Sequence, residues 1–245
     1  MIAACKLCLQ IRPLRDSHIL PELVYRPMYD EATRSALLLD VQAGKQRVRQ
    51  RGFTEPLLCD DCEQRMNRWE TYFARVWLHP SESRRPVQLP EDVVTIQGLD
   101  YESFKLFHLS LVWRAGIAQS RYFSAVRLRG RAEALRVALL NADPGGANDF
   151  PFWGMALRDP KTGGWQDELM KAPEATRRRG QWIYSMIFAG ASWHYHTSAH
   201  NEGREVPLMF DTSGILTLGV RNWKDNPFVK DLVSKLPLKQ AGRRT

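Results

Sequence analysis

Two Cys-x-x-Cys pairs, Cys5/Cys8 and Cys59/Cys62, constrain this chain more than any other feature, and they hold all four of its cysteines. The chain carries no apolar run of signal-peptide length, so a reduced, cytoplasmic setting is expected, in which a disulfide framework does not persist. Two pairs at this spacing match the paired knuckles of a tetrahedral four-cysteine zinc site. A thioredoxin-like redox motif is the competing reading, yet it needs one pair on a strand-to-helix turn rather than two. The 50 residues between the pairs exceed the ~15–20 of an ordinary zinc ribbon. A sizeable piece of structure must therefore be held between the knuckles.

With 245 residues, the chain has room for a small metal-built module and an ordinary domain. Hydrophobic residues at 44% and charged residues at 25% exclude a disordered chain. No segment approaches the ~20 apolar residues of a membrane helix. The longest, Ile183 to Trp193, is interrupted by Ser185, Gly190 and Ser192. A formal net charge of +8 suits a polyanionic partner without proving one.

Three regions are expected: 1–80 with both knuckles, a proline-interrupted linker at 79–90, and a second domain over 91–238, followed by a frayed tail, KQAGRRT. The expected fold class is α+β: a small zinc-stapled ββα-type module, then an α+β domain with a mainly antiparallel sheet. A hairpin is expected across Ser35–Arg51 around Ala43-Gly44. From Glu63, residues Met66, Trp69, Phe73, Val76 and Trp77 recur at helical steps. In the second region a helical stripe runs through Leu106, Leu109, Val112, Trp113 and Ile117, and Arg114 is expected to pair with an acid elsewhere. A further helix spans about 131–141. Strands are expected at 152–158, 181–193 and 214–221, with Asn226 capping a short helix before Pro227.

Between the knuckles stands Ser17-His18-Ile19-Leu20-Pro21, and Leu57-Leu58-Cys59-x-x-Cys62-Glu63 opens directly into a helix. This order resembles the HNH endonucleases, the zinc-stapled branch of the ββα-metal (His-Me finger) nucleases. In that family a pair such as Asp-His, followed by Ile-x-Pro, lies between two knuckles, and a metal-binding Asn or His follows the last cysteine. The resemblance covers roughly residues 1–75. The phrases SHILPE, LLCDDCE and LSLVWRAG also resemble a group of uncharacterised bacterial proteins with an HNH-like start.

The resemblance implies a metal-dependent endonuclease hydrolysing phosphodiester bonds, with DNA as the partner. His18 would be the general base, suited by its ordinary pKa near 6.5. Glu63, with Asp16 as a further candidate, would hold Mg or Mn, while zinc on Cys5, Cys8, Cys59 and Cys62 would be structural. Lys45, Arg47, Arg49 and Arg51 would contact phosphates. This chain differs from the family pattern at Ser17, where an acid usually stands, at Glu63 in place of Asn or His, and at 52–56, which lacks the middle Asn.

Alternatives stay open beside each role. His18 also suits a structural hydrogen bond, Glu63 a favourable place at a helix N-terminus, Glu22 a solvated surface position or an orienting contact to His18, and the 45–51 stretch the solvated face of an edge hairpin. The alternative for the whole chain is a non-catalytic zinc-stabilised nucleic-acid-binding or adaptor protein. A third is a protein-interaction module. His194, His196 and His200 are a weaker metal candidate, and Arg177–Arg179 read as a loop.

Overall fold

The computed structural model describes residues 1–40, 45–178, 180–197, 210–227 and 229–231, the side chains at 39, 40, 45 and 46 excepted. The chain is an α+β protein, with three sheets among the described residues. Strands β1 (Ile2–Ala4), β2 (Ile11–His18) and β5 (Thr54–Cys59) form an antiparallel sheet in the order β1-β2-β5. Between β2 and β5 lie a one-turn helix α1 (Glu22–Tyr25) and a hairpin of β3 (Ala36–Asp40) with β4 (Lys45–Arg49). The Ala43-Gly44 turn expected for that hairpin falls outside the described residues, as do His200, Arg179 and the 239–245 tail.

Helix α2 (Asp60–Phe73) starts immediately after β5, three residues earlier than the periodicity alone places it, because Asp60, Asp61 and Glu63 suit a helix's positive end. A single wide turn over Ala74–Leu78 ends it, closed by His79 N–H on the Ala74 carbonyl (2.9 Å). That turn carries Val76 and Trp77 into the interior. Residues 79–90 form no helix or strand, as three prolines dictate, yet they are docked. Arg85 makes a two-point ion pair with Asp167 (2.8 and 3.1 Å) and lies over the rings of Trp165 and Trp77.

A six-stranded sheet follows. It is built from β6 (Val93–Ile96), β7 (Phe152–Arg158), β8 (Lys171–Arg178), β9 (Gln181–Phe188), β10 (Ala191–His196) and β11 (Leu216–Asn222). The order is β6-β11-β7-β10-β9-β8, and every pair is antiparallel except β11 with β7. Two expectations need correction. The single strand expected at 181–193 is a hairpin, β9 and β10, because Ala189 and Gly190 adopt positive φ (48° and 76°) and reverse the chain. Arg177 and Arg178 lie in β8 rather than a loop: paired with Gln181 and Trp182 of β9, they form a polar sheet edge.

Helix α3 (Tyr101–Ile117) is capped by Asp100, whose side chain accepts Ser103 N–H (2.8 Å). Every residue from Phe104 to Ala115 is buried, so the expected stripe is only part of a helix enclosed on all sides. Helix α4 (Arg131–Asn141) packs beside it. The core runs unbroken from Cys5, Leu57 and Met66 to Phe188, Trp193 and Leu218. Its centre is aromatic: Phe73 of α2 stacks on Phe107 of α3 (3.9 Å between centroids), and Trp77 meets Trp193 of β10 at 5.4 Å.

Candidate functional site

The first knuckle is a tight turn in which Cys5 N–H bonds Gln10 O and Leu9 N–H bonds Cys5 O, both at 2.9 Å. The second is formed by the end of β5 and the first turn of α2. A β-bulge brings the two together. Pairing shifts between Arg15, opposite Leu58, and Asp16, opposite Pro56, leaving Leu57 as the extra residue. Its freed carbonyl accepts Lys6 N–H (2.9 Å), which seats the first knuckle against the second.

The four Sγ atoms lie within 4.8 Å of one another, and Cys8 and Cys59 sulfurs are 3.9 Å apart. A tetrahedral zinc with Zn–S bonds of about 2.3 Å sets sulfur separations near 3.8 Å, so the donor set and spacing fit such an ion. The four are free thiols, and Cys5, Cys59 and Cys62 are buried. Burial raises the Cys5 pKa, but backbone N–H groups of Cys8, Cys59 and Leu7 outweigh it and bring the thiol down to about 7. Cys5 also accepts Cys59 N–H at 3.4 Å. Such N–H···S bonds favour the thiolate that binds metal.

His18 ends β2 and is about one-third exposed. Its Nε2 lies 3.2 Å from Oε2 of Glu22, four residues on at the start of α1, within ion-pair reach but outside hydrogen-bond angles. Glu22 is fixed in turn: Tyr29 donates its hydroxyl to Oε1 (2.6 Å) and Gly52 N–H donates to Oε2 (3.2 Å). The His18 carbonyl accepts from Arg114 Nη1 (2.9 Å). Arg114, only 1% exposed, pairs with Glu70 of α2 (2.8 Å), the acid expected for it, and touches Ser110. One buried guanidinium thus ties α2 and α3 to the residue expected as base, joining SHILPE to LSLVWRAG across 96 positions.

Ser17 is buried, not poised for a ligand. Its hydroxyl accepts Leu58 N–H (3.1 Å) and points back to the Arg15 carbonyl (3.4 Å), filling the bulge. Asp16 is exposed beside it. Glu63, in the first turn of α2, keeps one carboxylate oxygen, Oε1, shielded from water with no hydrogen-bond partner. Among the described residues, the thiols are the only group of three or more His, Cys, Asp or Glu side chains close enough to hold an ion. Asp16, His18 and Glu63 do not complete a second.

Of the basic stretch, Arg47 and Arg51 are exposed on and after β4, Arg49 lies 4.2 Å over the Phe53 ring, and the Lys45 side chain falls outside the described residues. His194 and His196 share a face of β10, both against Trp153. His194 is spoken for, since Nδ1 meets Ser185 Oγ (2.7 Å) and Nε2 meets Ser192 Oγ (3.2 Å). Burial, partly offset by Glu174, lowers its pKa to about 4. The residues that sequence reasoning missed are Tyr29 and Gly52, which hold Glu22. Both are ordinary in type, and no spacing rule marks them.

Among the described residues, no helix is long and apolar enough to cross a membrane. Comparison with protein-family models, curated proteins and solved structures finds no match to this chain.

Proposed function

We propose that this protein is a metal-dependent, HNH-like endonuclease that hydrolyses phosphodiester bonds in DNA, built on a structural zinc held by Cys5, Cys8, Cys59 and Cys62. The observation that carries the reading is the setting of His18: a partly exposed imidazole at a strand end, backed by a carboxylate that two further donors fix. A histidine oriented by a carboxylate is the arrangement of a general base, because the acid stabilises the imidazolium formed when water gives up its proton. The knuckles, the bulge and Arg114 hold that base in place.

Glu63, with Asp16 as a second candidate, is the residue that would hold Mg or Mn; its unpartnered oxygen suits a hard cation. Such an ion would supply charge stabilisation at the phosphate. Four reduced thiols suit a cytoplasmic setting.

The test is incubation of zinc-loaded protein with supercoiled DNA and Mg or Mn, beside His18→Ala. The expected result is cleavage that falls at least about a hundredfold in the variant, the usual contribution of a general base, with zinc content and DNA binding unchanged. A variant that cuts as well as its parent would sink the assignment. A second reading, a non-catalytic zinc-stabilised nucleic-acid-binding or adaptor protein, draws on Ser17, whose hydroxyl is consumed by the bulge where the nucleases it resembles in sequence carry an acid. DNA bound but left intact by both proteins would favour it.

A further inference from the structure

The segment after α3 links the surroundings of His18 to the far edge of the six-stranded sheet. It starts beside β5, where the Glu55 carboxylate accepts Gln119 N–H and Ser120 N–H at 2.8–3.0 Å. Its tight turn at Arg121–Phe123 sets the Tyr122 ring 4.6 Å from Phe53, one residue from the strand partner of His18. The same turn lies against β8. Further on, Arg127 O accepts the Tyr184 hydroxyl (2.6 Å), and Arg129 reaches over Trp182 of β9 at 5.7 Å. Arg177 of β8 lies over the same indole at 6.0 Å.

Guanidinium groups and rings therefore alternate along one surface: Arg49 on Phe53, Arg121 on Tyr122, then Arg129 and Arg177 on Trp182. Trp182, near the start of β9 and beside the edge strand β8, is 36% exposed. The nearby acids are committed: Glu55 to the two amides, Glu174 to Lys171. Arg49, Arg129 and Arg177 pair with no carboxylate among the described residues. The positive charge is left for an outside partner.

We propose that this strip is a track for a single-stranded segment of nucleic acid, leading from His18 to the β8–β9 edge, with Trp182 stacking a base and Arg129 and Arg177 meeting phosphates. It rests on the nucleic-acid reading above for the identity of its ligand. Flanking cations and an accessible ring are what single-strand binding requires, since every base offers a π-face whereas duplex stacks hide theirs.

The probe is a fluorescein-labelled oligothymidine of about 20 nucleotides, long enough to span several stacking sites, compared by anisotropy with a duplex of equal length on the full zinc-loaded chain. Trp182→Ala is expected to weaken single-strand binding about tenfold, within the range of one lost stack, and to leave duplex binding unchanged. Trp182→Phe, which keeps a ring, restores most of it. Arg129→Gln with Arg177→Gln should reduce the salt dependence by about 1.4, two contacts at ~0.7 each for single strands.

Equal losses on duplex and single strand in Trp182→Ala, variants that bind like the parent, or a parent that binds no oligonucleotide would each overturn the track. Cleavage that His18→Ala abolishes while the strip variants bind normally removes the track alone. Strip-dependent binding with no cleavage by any protein supports the track and removes the catalytic reading.

Discussion

The four-cysteine third of the molecule and the six-stranded sheet reach order by different means. Around the knuckles the sheet is small, with strands of three, eight and six residues. Its shape is set by point contacts: four thiols, the Ser17 hydroxyl in the bulge, and the Arg114 guanidinium under His18. The larger sheet depends on many interchangeable contacts, with Phe104, Phe152, Phe188, Trp193 and His108 joined through ring contacts above it. Order made from points fails at one point, whereas order made from packing degrades by degrees. Helix α2 belongs to both, with Cys62 at one end and Phe73 at the other.

The most severe test of that contrast is Cys59→Ser or treatment with a chelator. Structural zinc contributes about 10–16 kcal/mol in small zinc-dependent folds, comparable to the whole stability of a typical domain, about 5–15 kcal/mol. Because α2 is shared, the expected calorimetric outcome is loss of one common transition. A surviving transition at the parent's temperature would show that the sheet region stands alone. Arg114→Met should come next, costing about 3–5 kcal/mol in denaturant unfolding because Glu70 is left mostly buried and unpaired. A change under about 1 kcal/mol, the scale of a surface pair, would mean the contact is incidental.

Gly52→Ala tests the support of Glu22. A methyl there would fall on the Tyr25 ring, and such overpacking costs typically ~1–3 kcal/mol. Any DNA cleavage should drop by more than the loss of folded protein explains; a drop that only tracks stability would remove Glu22 from the mechanism. The smallest effect belongs to the sheet. Burial depresses His194 to about 4, below the ordinary value of 6.5, so the unfolded chain binds that proton more readily. The stability it contributes is fully present above pH 6.5 and is lost progressively as pH falls toward 4, by at most ~1.4 kcal/mol per pH unit for one proton. His194→Gln should flatten melting temperature against pH over this range without abolishing the slope, since buried His108 is depressed too. An unchanged slope would show that His194 does not titrate there.

The same contrast explains what can be read from the sequence. The knuckles and the body of α2 are legible because Cys-x-x-Cys and a helix after the last cysteine are local patterns. The circumference of α3 is only half legible. Periodicity reveals Leu106, Leu109 and Val112, but Lys105, His108 and Arg114 look like a solvent face until their buried partners are known: Tyr101 and Gly146, Tyr195, and Glu70. Strand β8 is hidden by Pro173 and its charges, features of an edge. The joint between β9 and β10 is hidden because Ala189 at φ 48° is an uncommon choice for a reversal.

One contact of Trp77 has a consequence for how the chain is made. Its indole N–H donates to the Ala189 carbonyl (2.9 Å), 112 residues later. At about 5–20 residues per second a ribosome needs roughly 6–22 s to supply that distance. For that interval Trp77 can meet Phe104 of α3 but not Ala189 or Trp193 of the sheet. Until β9 and β10 are made, that side of Trp77 has no partner from the sheet. Transiently exposed apolar surface is prone to aggregate, so slow translation upstream of β9 lengthens the exposure.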